Sequence, residues 1–259
     1  MKKILALVMA CLLMCLTFAG CGSNTDSDME YVKDKGTLVV GITKFAPMDY
    51  KEGDEWIGFD ADMAKLFAER LGVEVEFVEI TWSKKIMELD AKNIDCVWNG
   101  MTLNDEVKAG MDCSQPYCNN AQVVIVPAED ADKYKTAEDC KDLQFAVEDG
   151  SAGHEVAETN GFKLTPVEDQ ARALTEVKSG TCDAAIIDSL MAGAMVGEGT
   201  GYADLTYTVG LNSEEYGVGF RKGSDLVAEL NAFFDECLEN GKMMEVASEY
   251  GVQAAIITK

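Results

Sequence analysis

The stretch that decides the fold spans residues 95–117 and reads DCVWNGMTLNDEVKAGMDCSQPY. A short buried strand is predicted at 95–98, followed by a turn at Asn99-Gly100. Thr102 and Asn104 then supply candidate caps for a helix. A strand that ends in a tight turn and leads into a helix N-terminus presents free backbone N–H groups to a cleft. The sequence therefore predicts a site for a small anionic or zwitterionic ligand at this corner.

Predicted strands and helices alternate on both sides of this stretch. Before it we expect strands at 37–41 and 73–80 and helices at 60–71 and 83–91. After it we expect strands at 122–127, 143–147, 184–187 and 216–220, and helices at 154–159, 168–179, 189–196, 224–239 and 242–250. Such alternation predicts an α/β fold with a mostly parallel sheet and helices on both faces. Two similar halves indicate two lobes.

The first twenty residues have the pattern of a targeting segment. Lys2 and Lys3 precede an apolar run at 4–18, and small residues stand just before Cys21. The segment resembles a bacterial lipoprotein signal, although Phe18 replaces the usual leucine. We expect residues 1–20 to be a cleaved signal peptide, Cys21 to be lipidated, and residues 21–34 to be a polar tether. An ordinary signal peptide cleaved nearby is the alternative.

Charge and composition narrow the function. The chain has 259 residues, 47% of them apolar, and a formal net charge of −24. This length suits one large domain or two small lobes. The strong negative charge argues against nucleic-acid binding and against a basic membrane-docking face.

Apart from Cys21, the cysteines that follow the targeting segment leave two possibilities open. They are Cys96, Cys113, Cys118, Cys140, Cys182 and Cys237. An even number outside the cell permits up to three disulfides, in fifteen connectivities, but buried free cysteines also behave as small hydrophobic residues. No CxxC pair occurs and His154 is the only histidine, so we expect neither a metal nor a cofactor.

Six motifs in register carry a resemblance to a known family. They are GTLVVGITKFAPMDY, WIGFDADMAKLFAERLG, WNGMTLNDEVK with CSQPY, EDGSAG, CDAAIIDS and EYGVGFRKGSDL, and they cover nearly all of residues 36–250. The chain resembles the extracellular amino-acid-binding proteins of ABC importers, the polar amino acid type of periplasmic binding protein.

The resemblance implies a two-lobe fold with two hinge strands and a ligand cleft between the lobes. Lobe 1 would comprise residues 31–119 and 212–259, lobe 2 residues 120–211, with hinges near 118–122 and 208–212. Open α/β sheets place ligands at the ends of their strands, and closure of the lobes on the ligand is the expected motion.

The resemblance also implies the ligand contacts. Phe45 and Trp82 stand where the family has aromatic residues after strands, which can enclose a ligand side chain; core packing is the alternative. Asn99, Gly100 and Thr102 match the family's ligand-binding turn, although Thr102 also fits a simple helix cap. Trp98 is expected in the core.

Two further contacts are implied on the other lobe. Asp188 matches the acid that binds the ligand's α-ammonium, a charge-assisted hydrogen bond, although it also fits the N-cap of the next helix. Ser151 and Ala152 match a turn whose N–H groups help to bind the carboxylate.

Val107 is the main departure from the family pattern, which usually has an arginine here for the α-carboxylate. Lys44, beside Phe45, is a substitute if it enters the cleft, and a solvated surface lysine otherwise. If neither Lys44 nor Lys108 replaces the arginine, backbone N–H groups hold the carboxylate alone, or the ligand is an amine that lacks one.

The implied function is a monomeric receptor that does no chemistry. It would be anchored through Cys21 to the outer face of the cytoplasmic membrane, at the cell surface or in the periplasm, with a Gram-positive envelope favoured, and would deliver an amino acid or a related small molecule to ABC permease subunits. A ligand sensor is one alternative. A prephenate- or arogenate-type dehydratase on the same fold is the other, with His154 and Glu148 as candidate acid/base groups.

Overall fold

A computed structural model describes residues 27–258. The expected signal peptide and the lipidation site at Cys21 lie outside these residues. In the first part of the chain the elements are α1 (Asp28–Lys35), β1 (Thr37–Ile42), β2 (Tyr50–Glu52), β3 (Glu55–Ile57), α2 (Phe59–Leu71), β4 (Glu74–Glu79), a 3₁₀ turn (Trp82–Lys84), α3 (Lys85–Asp90), β5 (Cys96–Thr102), α4 (Asp105–Gly110), β6 (Asp112–Cys113) and β7 (Cys118–Asn120).

The chain then continues through β8 (Gln122–Pro127), two 3₁₀ turns (Ala128–Lys133 and Glu138–Cys140), β9 (Gln144–Glu148), α5 (Ala152–Thr159), β10 (Lys163–Val167), α6 (Gln170–Lys178), β11 (Ala184–Asp188), α7 (Ser189–Met195) and β12 (Leu205–Gly210). The last elements are β13 (Glu214–Phe220), α8 (Leu226–Glu239) and α9 (Lys242–Glu249).

These strands form two separate α/β sheets. The first has six strands in the order β4-β1-β5-β13-β6, with β7 also paired to β13; the second has five in the order β10-β9-β11-β8-β12. We call the part of the chain built on the six-stranded sheet lobe 1 and the part built on the five-stranded sheet lobe 2. The chain passes from the first sheet to the second between β7 and β8 and returns between β12 and β13.

Both sheets are mixed, so the expectation of a mostly parallel sheet was wrong. In lobe 1, β1 runs parallel to β4 and β5, whereas β13 is antiparallel to β5, β6 and β7. In lobe 2, β9 runs parallel to β10 and β11, whereas β8 is antiparallel to β11 and β12. The antiparallel pairs of these two sheets all involve β8 or β13, the strands that follow the two crossings of the chain between the sheets. Each of them runs opposite to the parallel strands of the sheet that it joins.

Buried aromatic residues fill the core of lobe 1. Trp98 is 1% exposed and its ring packs edge-on against those of Phe67 and Phe234. Phe233 contacts Phe67, which joins α8 to α2. Trp98 therefore has the core position expected for it.

Two local expectations differ from the structure. The pair Asn99-Gly100 does not reverse the chain, because β5 runs on to Thr102 and the left-handed conformation of Gly100 (φ +54°) is accommodated within the strand. Residues 28–34 were expected in a polar tether but lie in α1. That helix is capped by Ser27 and anchored by the buried Val32 and by an ion pair between Asp28 and Arg221.

All six cysteines at 96, 113, 118, 140, 182 and 237 are free thiols, which agrees with the small-hydrophobe alternative. None of the helices between residues 27 and 258 is both long and apolar enough to span a membrane.

Candidate functional site

A polar pocket lies between the two lobes at the ends of their strands. In this arrangement of the lobes its cavity volume is about 20 Å³, about the space that one water molecule occupies. Lobe 1 contributes Trp82, Lys85, Asn99, Gly100, Met101, Thr102, Asn104 and Val107, and lobe 2 contributes Glu148, Gly150, Ser151, Ala152, Gln170 and Asp188. On one side they come from β5, α4 and the 3₁₀ turn with α3, and on the other from the ends of β9 and β11 and the beginnings of α5 and α6.

The lobes touch each other around this pocket. Lys85 Nζ donates a hydrogen bond to the carbonyl of Gly150 at 3.0 Å, and Asn104 Nδ2 donates to Glu155 Oε2 at 2.7 Å. Gly150 also packs so closely on Ser83 that an added Cβ would lie 2.8 Å from the Ser83 Cα. The structure is therefore a closed arrangement of the two lobes.

Asp188, the last residue of β11, is 4% exposed and surrounded by hydrogen-bond donors. Tyr216 Oη donates to Oδ1 at 2.6 Å and Gln122 Nε2 donates to it at 3.0 Å, with the Asn120 amide also donating to Oδ1 and the Gln170 amide to Oδ2. Its side chain makes no cap bond to the following helix. Burial, reinforced by the charge of Glu214, raises the pKa of Asp188 to about 7, so a cation placed here would be strongly favoured.

A second carboxylate, that of Glu214, shares donors with Asp188. The Asn120 and Gln122 amides donate to Glu214 Oε1 at 2.7 and 2.8 Å, and the hydroxyl of Thr102 donates to the same oxygen at 2.9 Å. This network joins β5, β8, β11 and β13. It therefore connects both lobes at the point where the chain crosses between them.

The predicted turn on β5 lines the pocket, but its polar groups also hold the strand in place. Asn99 accepts from the Thr43 backbone N–H at 2.9 Å and donates to the Thr43 hydroxyl at 2.8 Å. The Gly100 N–H donates to the buried Asp60 at 2.6 Å. A side chain at Gly100 would collide with Phe45, since an added Cβ would lie 2.2 Å from Phe45 Cε1. The helix cap of α4 is supplied by Asn104, not by Thr102.

The two predicted aromatic residues have different positions. Trp82 lines the pocket, whereas Phe45 is 1% exposed and packs behind Gly100 with its ring edge-on to Tyr216. Phe45 therefore supports the wall of the pocket and is not one of its lining residues.

Lys44 lies outside the lining of the pocket. Its Nζ forms an ion pair with Glu79 at 3.0 Å, its side chain is 54% exposed, and Glu79 raises its pKa. Glu79 captures it because the loop after β1 runs beside the end of β4.

Ser151 and Ala152 lie on the lobe 2 side, at the beginning of α5. The Ser151 hydroxyl accepts from the His154 N–H at 3.1 Å as the helix cap. The Ser151 N–H donates to the Glu148 carbonyl at 3.2 Å, so this N–H already has a partner in the closed arrangement.

The lining residues that were not predicted as ligand contacts include Lys85, Glu148 and Gln170. Lys85 is 3% exposed, lies 5.0 Å from the ring centroid of Trp82, and has its pKa lowered by burial. The spacing of Trp82 and Lys85, three residues apart in a helical segment, places them on one face and could have indicated this position.

Glu148 ends β9 just as Asp188 ends β11. It is 2% exposed, and burial together with the charge of Asp188 raises its pKa well above the usual value. The sequence named it only as a candidate acid for catalysis. Its position at the carboxyl end of a strand could have indicated a pocket residue.

Val107 also lines the pocket, 2% exposed, within an apolar cluster that includes Trp82 and Met101. The position at which the resemblance implies an arginine therefore offers the ligand an apolar surface. Among the lining residues in the described part of the chain, Lys85 is the only cation.

Comparisons with known proteins agree with this architecture. The model for bacterial extracellular solute-binding proteins, family 3, matches residues 38–253. The arginine-binding extracellular protein ArtP of Bacillus subtilis (strain 168) is 33% identical over 96% of this chain and 98% of its own length. The chain belongs to this family of bacterial extracellular solute-binding proteins.

Solved structures give the same result. A P235GK mutant of ArgBP from T. maritima superposes with a TM-score of 0.80 at 33% identity, covering 86% of this chain and 98% of that chain. The ancestral amino acid-binding protein AncCDT-1, described as a precursor of cyclohexadienyl dehydratase, gives a TM-score of 0.79 at 32% identity over 86% and 99% of the two chains. The fold is the two-lobe periplasmic-binding-protein-like fold that the sequence predicted.

Proposed function

We propose that this protein is the substrate-binding component of an amino acid ABC importer, which captures its ligand between the lobes and delivers it to permease subunits. The observation that carries the proposal is Asp188, a buried carboxylate at the junction of the lobes that faces a polar pocket. Relatives named as amino-acid-binding proteins support the ligand class.

In the proposed complex the α-ammonium of the ligand binds Asp188. A charge-assisted hydrogen bond in a closed pocket is strong, and the positive charge also offsets the repulsion between Asp188 and Glu214. The hydroxyl of Thr102 and the backbone at Gly100 and Ala152 flank the α-carbon, with Trp82 covering the side chain. Lys44 has no place in this complex, because Glu79 holds it outside the pocket lining.

The two crossings of the chain between the sheets support capture by lobe closure. Every strand of lobe 2 lies between the two segments that connect the sheets, so rotation about those segments would open the pocket without breaking either sheet. The interlobe bonds of Lys85 and Asn104 would then form only on closing.

The proposal includes attachment to the membrane through a lipid on Cys21, at the cell surface or in the periplasm. Its support is the FAGC sequence at 18–21 and the extracellular family to which the chain belongs. Mass spectrometry of the protein from its own membranes would test it: a diacylglyceryl group on an N-terminal Cys21 is expected, and a mature chain that begins elsewhere would contradict it.

The amino acid assignment is tested by calorimetry with each of the twenty amino acids. At least one should bind, and Asp188→Asn should weaken it by about 30- to 1000-fold, because an ammonium then loses its buried anionic partner. Lys44→Met is the matched control and should leave the affinity unchanged. Equal affinities for Asp188→Asn and the parent protein would reject Asp188 as the ammonium site.

A second candidate function is an elimination catalysed by a pocket acid. It is favoured by Glu148, a buried carboxyl with a raised pKa that lines the pocket, as a general acid requires. His154 lies outside the pocket lining, where its Nδ1 accepts from the Gly150 N–H at 3.2 Å. Incubation with prephenate and arogenate tests this function: turnover that Glu148→Gln abolishes would establish it.

A further inference from the structure

We infer that the ligand carries a cationic side chain, with Glu148 binding that cation and Lys85 binding the α-carboxylate. This inference rests on the proposed function, since it assumes an amino acid whose ammonium occupies Asp188. It narrows that function to a basic amino acid, a class defined by two positive groups and one negative group.

The charges that line the pocket provide the first argument. Among the described residues they are two carboxylates, Asp188 and Glu148, and one ammonium, Lys85. Each of the three is less than 5% exposed, so water screens them poorly. Buried charge without a partner is costly. A ligand with two cations and one carboxylate complements this set group by group, whereas a neutral amino acid leaves one carboxylate without a partner.

Glu148 provides the second argument, because one of its carboxylate oxygens accepts no hydrogen bond from the described residues. Its Oε1 is buried and has no hydrogen-bond partner among the described residues. Asp188 differs, since donors reach both of its oxygens. A cation beside Glu148 would supply the missing partner and would offset the repulsion from Asp188 and Asp169 that helps to raise its pKa.

Lys85 provides the third argument, because its ammonium donates only one hydrogen bond among the described residues. It carries three donors, of which one bonds to the Gly150 carbonyl. No ion pair joins Lys85 to a carboxylate within the described part of the chain, and the charges of Glu106 and Glu148 act on it only at longer range. The remaining donors are available to a ligand anion, at the wall where Val107 offers no charge.

The location of Lys85 also makes anion binding depend on closure. The lysine lies on lobe 1, and its bond reaches the turn of lobe 2 that precedes α5. A carboxylate bound between this ammonium and the turn would therefore contact both lobes. The same group would select the ligand and hold the closed arrangement.

Calorimetry with three probes of one shape tests the inference: L-arginine, its neutral analogue L-citrulline, and agmatine, which lacks the carboxylate. The parent protein should bind arginine about 10- to 100-fold more tightly than citrulline, as expected for a charged hydrogen bond, and agmatine should also bind more weakly than arginine. Measurements with L-lysine and L-norleucine repeat the comparison for a different cation.

Two conservative variants assign the charges. Glu148→Gln should lower the affinity for arginine by about tenfold or more while leaving that for citrulline within about threefold. Lys85→Met should weaken arginine but not agmatine. Citrulline binding as tightly as arginine to the parent protein would overturn the inference, as would a Glu148→Gln variant that weakens both equally.

The parent-protein comparison does not depend on either variant folding. If no amino acid of any charge binds, the proposed function fails, and the inference with it. If glutamine or another neutral amino acid binds tightly through Asp188 while the basic ones do not, the proposed function stands and the inference alone is overturned.

Discussion

At the scale of single residues, Asp49 is a fully buried carboxyl. It is 0% exposed, and neither side-chain oxygen has a hydrogen-bond partner among the described residues. Burial raises its pKa well above the usual value, and the nearby Asp60 and Asp62 raise it further. The carboxyl is therefore harder to ionise in the folded protein than in the unfolded chain.

This predicts a pH-dependent gain in stability for Asp49→Asn. Because the pKa of Asp49 is higher in the folded state, the unfolded state loses the proton first, and the wild-type free energy of unfolding falls as pH rises above about 4. The amide cannot ionise, so the variant should be more stable by about 1 kcal/mol or more at pH 8. The difference should shrink toward pH 4.

Urea unfolding at pH 4, 6 and 8 measures this difference. Asp54→Asn, at an exposed position of the β2–β3 turn, is the control and should show no such trend. A gain for Asp49→Asn that stays the same at every pH would contradict the ionisation account.

Lys44 and Lys85 show how far the position of a side chain can be predicted from its neighbours in the sequence. Lys44 was favoured because it neighbours Phe45, yet it pairs with Glu79 on the adjacent strand. Lys85 lines the pocket although no strand end precedes it directly. Chain proximity places a residue near a site, but the direction of a long side chain depends on partners that are distant in sequence. Asp188, at the end of β11, and Asn99, within β5, both line the pocket, because in a strand the backbone itself sets the direction of a side chain.

At the scale of elements, α1 is attached to lobe 1 through a buried ion network. Arg221 pairs with Asp28 at 2.9 Å and with Asp95 at 3.4 Å, and it donates to the Ile94 carbonyl at 2.7 Å. Asp95 also pairs with Lys35, at the other end of α1. One arginine thus connects α1, the start of β5 and the end of β13.

Arg221→Met should therefore destabilise the protein by about 3–5 kcal/mol, because Asp28 is left as a buried charge without its partner. Arg70→Met is the matched control: Arg70 is paired with Glu229 and Glu236 on the surface, and its loss should cost about 1 kcal/mol or less. Urea unfolding of both variants measures the two costs. Similar losses in the free energy of unfolding would show that the buried ion network stabilises the protein no more than the surface pairs of Arg70 do.

The same network explains why α1 was missed in the sequence. Its eight residues include three acidic ones and bury only Asp28 and Val32, so no apolar stripe marks the helix. The partner that fixes it, Arg221, is 193 positions away in the chain. The longer α2 was predicted well because Met63, Phe67 and Leu71 repeat at helical spacing and Gly72 ends the helix.

At the scale of the whole molecule, Gly150 is a point of tight contact between the lobes. Its φ is +72°, and an added Cβ would lie 2.8 Å from the Cα and Cβ of Ser83 on the other lobe. Gly161 has nearly the same backbone, with φ +69°, but no atom within 4 Å of an added Cβ. The two positions separate backbone strain from contact between the lobes.

Gly150→Ala should weaken ligand binding by about tenfold or more, because the closed arrangement must open by several tenths of an ångström to admit the methyl group. Gly161→Ala should lose comparable stability, about 1 kcal/mol, but should keep the parent affinity. Calorimetry and urea unfolding on both variants measure these effects. Equal affinities for the two variants would contradict a contribution of this contact to binding.

Because β13 belongs to the sheet of lobe 1 but follows lobe 2 in the chain, the sheet of lobe 1 can be completed only after lobe 2 has been synthesised. Strands β6 and β7 pair only with β13 among the described strands, and β13 ends at Phe220, after all of lobe 2. The five strands of lobe 2 follow one another in the chain without interruption. A polypeptide that emerges N-terminus first can therefore complete the sheet of lobe 2 while the edge of β5 that pairs with β13 is still unpaired. Such an unpaired edge is a template for aggregation. We therefore expect a polypeptide that still lacks β13 to aggregate more readily than the complete chain.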